Sequence, residues 1–153
     1  MSQRFVDDAL PLSFEIFGVS DDLKTTLTGI IDTGFSGYLT LPFTTAFPLG
    51  LILKGEQSHT LANGRTSSHF LCLGTVSFGG NQAVVPIDVQ PEGPILIGVQ
   101  LLAKLGVTLN VNFPASEFSV NVSPLAQPAT KPLSPGVLSR VRRHGVKGVK
   151  LHF

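Results

Sequence analysis

The chain has 153 residues and one cysteine, with 11 Lys and Arg against 10 Asp and Glu. This length predicts one domain, large enough to bury roughly 70% of the surface that the unfolded chain exposes. The lone Cys72 excludes an internal disulfide framework and a cysteine-rich zinc module. The N-terminus lacks a long apolar segment, and polar residues and glycines interrupt the most apolar stretch, 95–111. We therefore expect a cytoplasmic protein without a signal peptide or a membrane span.

The net charge of +1 is the sum of two regions of opposite charge. Residues 1–122 contain all ten acids and five bases, which gives a net charge of −5. Residues 123–153 contain no acid, six bases and four of the eleven prolines, which gives +6. The composition predicts a folded domain over 1–122, followed by a flexible, Pro-rich basic tail over 123–153.

Two alternating segments near the N-terminus predict a β-hairpin. Residues 12–17 alternate apolar and polar side chains, and residues 25–31 follow after a short polar link. A third strand is predicted over 39–41 and ends at Pro42, which has no backbone N–H to donate to a sheet.

Turn residues predict two further hairpins in the middle of the domain. Asn63-Gly64 favours a two-residue type I′ turn, because both residue types tolerate the positive φ that this turn requires. The strands on either side are predicted over 57–62 and 66–78. Gly79-Gly80-Asn81 marks the next reversal, into a strand over 83–89.

One helix is predicted, over 99–105, because its leucines fall on one face and Gly106 suits the position after the last turn. Residues 107–113 and 117–122 then alternate as a final hairpin. Many short strands with a single short helix indicate an all-β barrel or sandwich.

The segment Ile30-Ile31-Asp32-Thr33-Gly34 runs an apolar strand directly into a carboxylate and a turn of small residues. An acid at the end of a buried strand is costly unless it is hydrogen-bonded, so its presence needs an explanation. One explanation is structural, with Asp32 capping the loop through local hydrogen bonds. The other is catalytic, and a tripeptide alone does not decide between the two.

A second segment favours the catalytic interpretation. Gly93-Pro-Ile-Leu96-Ile97-Gly98 leads into the predicted helix. Together the two segments resemble the retropepsin-like (clan AA) single-domain aspartic proteases, in which an apolar-apolar-D-T-G strand is followed by an apolar-apolar-Gly sequence and a short Leu-rich helix. The longer string D-T-G-F-S-G-Y-L-T-L-P is most similar to bacterial members of the D-T-G-F-[ST]-G type.

The resemblance implies a closed barrel or sandwich with a flap hairpin, and an aspartic endopeptidase acting on peptides or proteins without a cofactor or a metal. Two carboxylates held close cannot both ionise, so one serves as general base and the other as general acid. The chain has one D-T-G, at Asp32, and no D-S-G, and 122 residues leave no room for a second lobe. A homodimer is therefore expected, with one Asp32 from each subunit.

The resemblance also implies roles for the residues around Asp32. Thr33 would link the two active-site loops across the two-fold axis, and Gly34 would let the substrate backbone approach closely. Ser36 would support the catalytic carboxylate by a hydrogen bond. The segment Leu96-Ile97-Gly98 would lie behind the site.

The flap is expected near residues 57–70, with Asn63 and Gly64 at its tip, where it would fold over bound peptide and exclude water. Two departures from the family pattern stand beside the motif. Phe35 occupies a position that is usually Ala or Ser. Viral members often have an Asp–Arg ion pair at the positions that Ser36 and Val99 occupy here.

Other functions have weaker support in the sequence. A metal site from His59, His69 and Cys72 is not expected, because a two-residue turn would pair position 59 with position 68 and put the two histidines on opposite sheet faces. The alternative to a protease is a non-catalytic module of the same fold, used for dimerisation or peptide binding.

The basic tail has three interpretations, and nothing in the sequence decides among them. Its six bases would contact an anionic partner, either nucleic acid or a membrane surface. Alternatively, the tail is a solvated extension that offsets the acidic domain. A third interpretation makes 149–153, which alternates, an added strand at the dimer interface.

Overall fold

The computed structural model describes residues 2–125, which fold mainly into β-strands. The strands are β1 (Ser2–Arg4), β2 (Pro11–Phe17), β3 (Thr25–Ile31), β4 (Leu39–Pro42), β5 (Ile52–Thr60), β6 (Thr66–Phe78), β7 (Asn81–Gln90), β8 (Leu96–Ile97), β9 (Val107–Asn112) and β10 (Glu117–Val122). The α-helices are α1 (Phe43–Ala46) and α2 (Val99–Lys104), and single 3₁₀ turns cover Asp21–Leu23 and Phe47–Leu49. Most of the predicted tail, 126–153, lies outside the described residues.

Six strands close a barrel in the order β2-β3-β8-β4-β7-β6, and β6 pairs back with β2. The β3–β8 and β4–β7 pairs are parallel, and the other neighbours in the ring are antiparallel. Strand β5 pairs with β6 outside the ring. Closure satisfies the backbone hydrogen bonds of the strand edges that an open sheet would expose. The predicted all-β barrel is confirmed.

The barrel interior is built from the alternation that the sequence shows. In β2 the residues Leu12, Phe14 and Ile16 are buried, whereas Ser13 and Glu15 between them are exposed. Each fully buried aliphatic or aromatic side chain contributes about 1.5–3 kcal/mol relative to an exposed one. Helix α2 covers the core with its leucine face, as predicted.

Several parts of the fold were not predicted from the sequence, among them strand β8 and the first five residues of β5, which was predicted only from residue 57. Strand β1 pairs with β10, so the final hairpin forms a separate three-stranded sheet in the order β1-β10-β9. The single turn α1 follows Pro42 directly, where the sequence indicated only the end of a strand. The hairpins of β2 with β3, β6 with β7, and β9 with β10 form where they were predicted.

The turn between β5 and β6 differs from the predicted type I′ turn. Thr60 pairs with Thr66, so five residues separate the strands. The Leu61 carbonyl accepts the Gly64 N–H at 2.9 Å, and the Leu61 N–H donates to the Arg65 carbonyl at 2.7 Å. Gly64 has φ +80°, whereas Asn63 is not in the positive-φ region and its side chain accepts the Arg65 N–H at 3.0 Å. The asparagine thus forms a local side-chain turn, and the type I′ prediction is wrong.

This longer loop shifts the strand register by one residue. Position 59 pairs with Ser67, and Gln57 pairs with His69. The predicted pairing of 59 with 68 is therefore wrong, and with it the reason for placing the two histidines on opposite faces. The two-residue loop that the sequence assigned to Asn63-Gly64 occurs instead at Gly79-Gly80, between the paired residues Phe78 and Asn81.

Candidate active site

Asp32 is the first residue after β3, at the point where the two parallel strands β3 and β8 end side by side. The Ile30 N–H donates to the Ile95 carbonyl at 2.8 Å, and the Asp32 N–H donates to the Ile97 carbonyl at 2.9 Å. The parallel ladder thus continues one residue beyond β3. The barrel therefore fixes the backbone N–H of Asp32.

The Asp32 side chain is half-buried and is oriented by the turn that follows it. Its Oδ1 accepts the Gly34 N–H at 2.9 Å, and its carbonyl accepts the Phe35 N–H at 3.1 Å. Among residues 2–125, Lys24 pairs with Glu15 and the His69 ring lies 3.6 Å from the Asp88 carboxylate, and Asp32 takes part in neither contact. The loop-capping hydrogen bonds of the structural explanation are therefore present, and they leave the carboxylate without a cationic partner in the described part of the chain.

The residues after Asp32 form a loop on the surface, here called the Asp32 loop (33–38). Thr33, Gly34 and Ser36 are exposed, and Phe35 is half-buried. Ser36, which was expected to bond the carboxylate through its hydroxyl, instead uses its backbone carbonyl to accept a hydrogen bond from the Gln100 side chain.

Gly98 allows the Asp32 loop to lie directly against the start of α2. A Cβ atom on Gly98 would be 2.1 Å from the Gly37 carbonyl oxygen and 2.9 Å from the Phe35 ring. The Gly98 N–H also donates to the Tyr38 carbonyl at 2.9 Å. The close approach of two backbones explains why glycine stands at this position.

A buried threonine joins β4 to β8 behind the site. Thr40 Oγ1 accepts the Leu96 N–H at 3.1 Å and donates to the Pro94 carbonyl at 3.3 Å. Thr40 is the buried polar residue of the described core. The predicted segment Leu96-Ile97-Gly98 therefore lies between Asp32 on one side and Thr40 on the other.

No protein-family model and no curated protein matches the chain. Among solved structures, the chain is similar to EIAV protease complexed with the inhibitor HBY-793, with a TM-score of 0.52 and 16% sequence identity. The match covers 71% of this chain and 99% of that one. The chain has a retropepsin-like fold. At this identity the likeness shows the fold alone, and the closer relation to bacterial members stays a prediction.

Within the retropepsin-like fold, the β5–β6 hairpin is the element predicted to be the flap. Asn63 and Gly64 lie in its exposed terminal loop, and their role at the tip of a flap stays a prediction. The backbone hydrogen bonds of this loop, and that of the Asn63 side chain, are made within the hairpin.

Two residues outside the predicted set also shape the site. Thr40 joins β4 to β8, and Gln100 joins the Asp32 loop to α2. Thr40 lies within the string D-T-G-F-S-G-Y-L-T-L-P, but the resemblance gave it no role, and Gln100 lies in the predicted helix without a motif of its own. A polar residue in the otherwise apolar segment Leu39-Thr40-Leu41 is a further signal that the sequence offers for Thr40. For Gln100 the sequence offers none, because its partner lies 64 residues away.

Over residues 2–125, no group of three His, Cys, Asp or Glu side chains is arranged to hold a metal ion. Cys72 is buried in the core, and burial raises the pKa of its thiol. In the same range, no helix is long and apolar enough to cross a membrane.

Proposed function

We propose that the chain is an aspartic endopeptidase that acts as a homodimer, with one Asp32 from each subunit in a shared site. The observation that carries this proposal is the placement of Asp32, which ends a barrel strand with its carboxylate oriented by the Gly34 N–H and with an exposed loop beside it. The EIAV protease, which shares the fold, is a protease that binds an inhibitor.

The chemistry needs two carboxylates that share one proton. The ionised Asp32 accepts a proton from a water molecule as the water oxygen attacks the carbonyl carbon of the substrate. The protonated Asp32 of the second subunit donates a hydrogen bond to the carbonyl oxygen and stabilises the charge that develops there. Transfer of a proton to the leaving nitrogen then allows the C–N bond to break.

A second copy of the chain is the expected source of the second carboxylate. The exposed Thr33 and Gly34 directly follow Asp32, and two exposed apolar residues lie near this loop: Ile30, two residues before Asp32, and Val99, whose N–H donates to the Phe35 carbonyl. Ile30 is 37% exposed and Val99 is 38% exposed, although they belong to β3 and α2, which pack on the core. Contact of this surface with its symmetry mate would bury both residues and bring the two loops together.

Peptide or protein is the proposed substrate, and the β5–β6 hairpin is the proposed cover of the binding cleft. In the distal part of this hairpin, residues 57–60 and 66–69 pair with each other, and β6 pairs with β7 only from Phe70 onward, so the distal part can move without disturbing the barrel. Its closure over a bound peptide would exclude bulk water from the carboxylates.

Asp32→Asn tests the assignment, because the amide keeps the shape of the carboxylate but cannot act as a general base. Incubation of the purified full chain with a mixed peptide library, read by mass spectrometry, is expected to show cleavage by the wild type and none by the variant. Asp22→Asn, at an exposed aspartate in a 3₁₀ turn, is the matched control and should cleave like the wild type.

Thermal unfolding and light scattering of the same three proteins complete the test. We expect equal midpoints and the mass of a dimer for all of them. Cleavage that survives Asp32→Asn contradicts the protease assignment. A wild-type dimer that binds peptides without cleaving them favours the non-catalytic module instead.

A further inference from the structure

Three successive carbonyl groups of the Asp32 loop accept hydrogen bonds from the first two residues of α2. The Phe35 carbonyl accepts the Val99 N–H at 3.1 Å, and the Gly37 carbonyl accepts the Gln100 N–H at 3.2 Å. Between them, the Ser36 carbonyl accepts a hydrogen bond from the Gln100 side-chain amide. The loop thereby satisfies two N–H groups that the start of a helix leaves without partners.

The middle contact of the three depends on a side chain, whereas the outer two depend on backbone alone. Gln100 is also the residue that bonds the loop twice, once through its N–H and once through its amide. It is exposed, so a substitution there changes little of the core packing.

Two further hydrogen bonds join the Asp32 loop to Asp32 itself. Phe35 donates its N–H to the Asp32 carbonyl at 3.1 Å, and the neighbouring Gly34 N–H donates to Asp32 Oδ1 at 2.9 Å. A shift of Ser36 and Phe35 therefore changes the position of the donor that orients the carboxylate. Gly98 packs against Gly37 and Phe35 with no room for another atom, which limits the loop to small displacements.

We propose that Gln100 is a positioning residue, whose side-chain amide holds the Ser36 carbonyl and thereby fixes the orientation of the Asp32 carboxylate. The contact is a neutral hydrogen bond from the second residue of α2. The kinetic consequence rests on the proposed protease function, whereas the structural consequence does not.

Gln100→Met removes the amide while keeping the length of the side chain and a good helix former. For cleavage of one peptide by the full-length dimer, we expect kcat to fall about tenfold and KM to change by less than about twofold, because a misplaced catalytic group costs rate rather than binding. Lys104→Met, at an exposed position of the same helix, is the matched control and should keep the wild-type kcat. Gln100→Lys restores an N–H donor and should recover most of the rate.

Amide hydrogen exchange of the full chain gives a second measurement that does not depend on activity. In Gln100→Met, exchange at the Gly34 and Phe35 amides should rise about tenfold, while exchange in the barrel strands stays unchanged. Lys104→Met should alter neither region.

The outcomes separate this inference from the proposed function. If the wild type does not cleave peptides but Gln100→Met raises exchange at Gly34 and Phe35, the protease proposal fails and the positioning contact stands. If the wild type cleaves and Gln100→Met keeps both its kcat and its exchange rates, the inference is overturned. Faster exchange throughout the barrel of Gln100→Met, with a lower melting temperature, also overturns it, because the residue would then serve general stability.

Discussion

Gly98 is the residue that lets the loop carrying the candidate catalytic aspartate pack against α2. A Cβ atom there would be 2.1 Å from the Gly37 carbonyl oxygen, which is backbone and cannot rotate away. We expect Gly98→Ala to lower the free energy of unfolding by about 2–3 kcal/mol, since the two segments must separate to admit the methyl group. Denaturant unfolding measures this loss.

Gly55→Ala provides the matched control for that substitution. Gly55 lies in β5, and a Cβ atom there would meet nothing within 4 Å. The expected change in the free energy of unfolding is below about 1 kcal/mol, from backbone entropy and strand preference alone. Equal losses for the two variants would show that close packing at Gly98 is not what requires glycine.

Cys72 gives a pH dependence whose sign follows from its burial. Burial raises the pKa of the thiol in the folded chain, so the folded state keeps its proton at pH values where the unfolded chain has lost it. Below about pH 8.5 both states are protonated, and above that the unfolded thiol ionises. The free energy of unfolding should therefore fall as the pH rises above that value.

Comparison with Cys72→Ala isolates this contribution from other groups that titrate in the same range. Urea unfolding is measured under reducing conditions at about pH 7.5 and about pH 9.5, which lie on either side of the ordinary pKa of a thiol. Between these two pH values, the free energy of unfolding should fall more for the wild type than for the variant. A pH dependence that is the same in both proteins would contradict the assignment to Cys72.

At the scale of elements, Thr40 joins β4 to β8 through a buried hydroxyl. Thr40→Val keeps the shape of the side chain but leaves the Leu96 N–H and the Pro94 carbonyl without that partner. We expect a loss of about 2 kcal/mol in the free energy of unfolding, because a buried donor left unpaired pays its full desolvation cost.

Thr28→Val is the control for the loss of a hydroxyl from a strand. Thr28 is exposed in β3, and its hydroxyl pairs with that of Ser13 at 2.7 Å. Water replaces this contact, so the expected change is within about 0.5 kcal/mol. If Thr40→Val is as stable as Thr28→Val, the Thr40 hydroxyl does not have the proposed role in joining β4 to β8.

The elements that were predicted correctly are those with local signals. The β2–β3 and β9–β10 hairpins follow from alternation and short links, and α2 follows from its leucines between Gly98 and Gly106. The pairing of β1 with β10 joins residues at opposite ends of the domain, and no local pattern encodes it.

The errors also have physical reasons. Asn63-Gly64 permits a type I′ turn, but the Asn63 side chain bonds the Arg65 N–H and favours a longer loop. In the candidate site, Asp32 and Gly98 could be found from motifs. Gln100 could not, because its role depends on how α2 packs against the Asp32 loop, which no local pattern encodes.

At the scale of the whole molecule, residues 2–125 have a retropepsin-like fold, and the proposed function requires a second copy of the chain. The chain carries one D-T-G aspartate, so the proposed active site takes one carboxylate from each of two chains. Asp32→Asn subunits should then lower the cleavage rate of the wild type by forming inactive mixed dimers with it. A monomeric enzyme, by contrast, would be unaffected by an inactive neighbour.

The direct test keeps the amount of wild-type chain fixed and adds Asp32→Asn chain under conditions that allow subunits to exchange. If random pairing forms mixed dimers, the cleavage rate should fall to about one half with one equivalent of variant and to about one tenth with nine. Asp22→Asn chain, added in the same amounts, should not lower the rate. A cleavage rate that does not change as Asp32→Asn chain is added would contradict a site shared between two subunits.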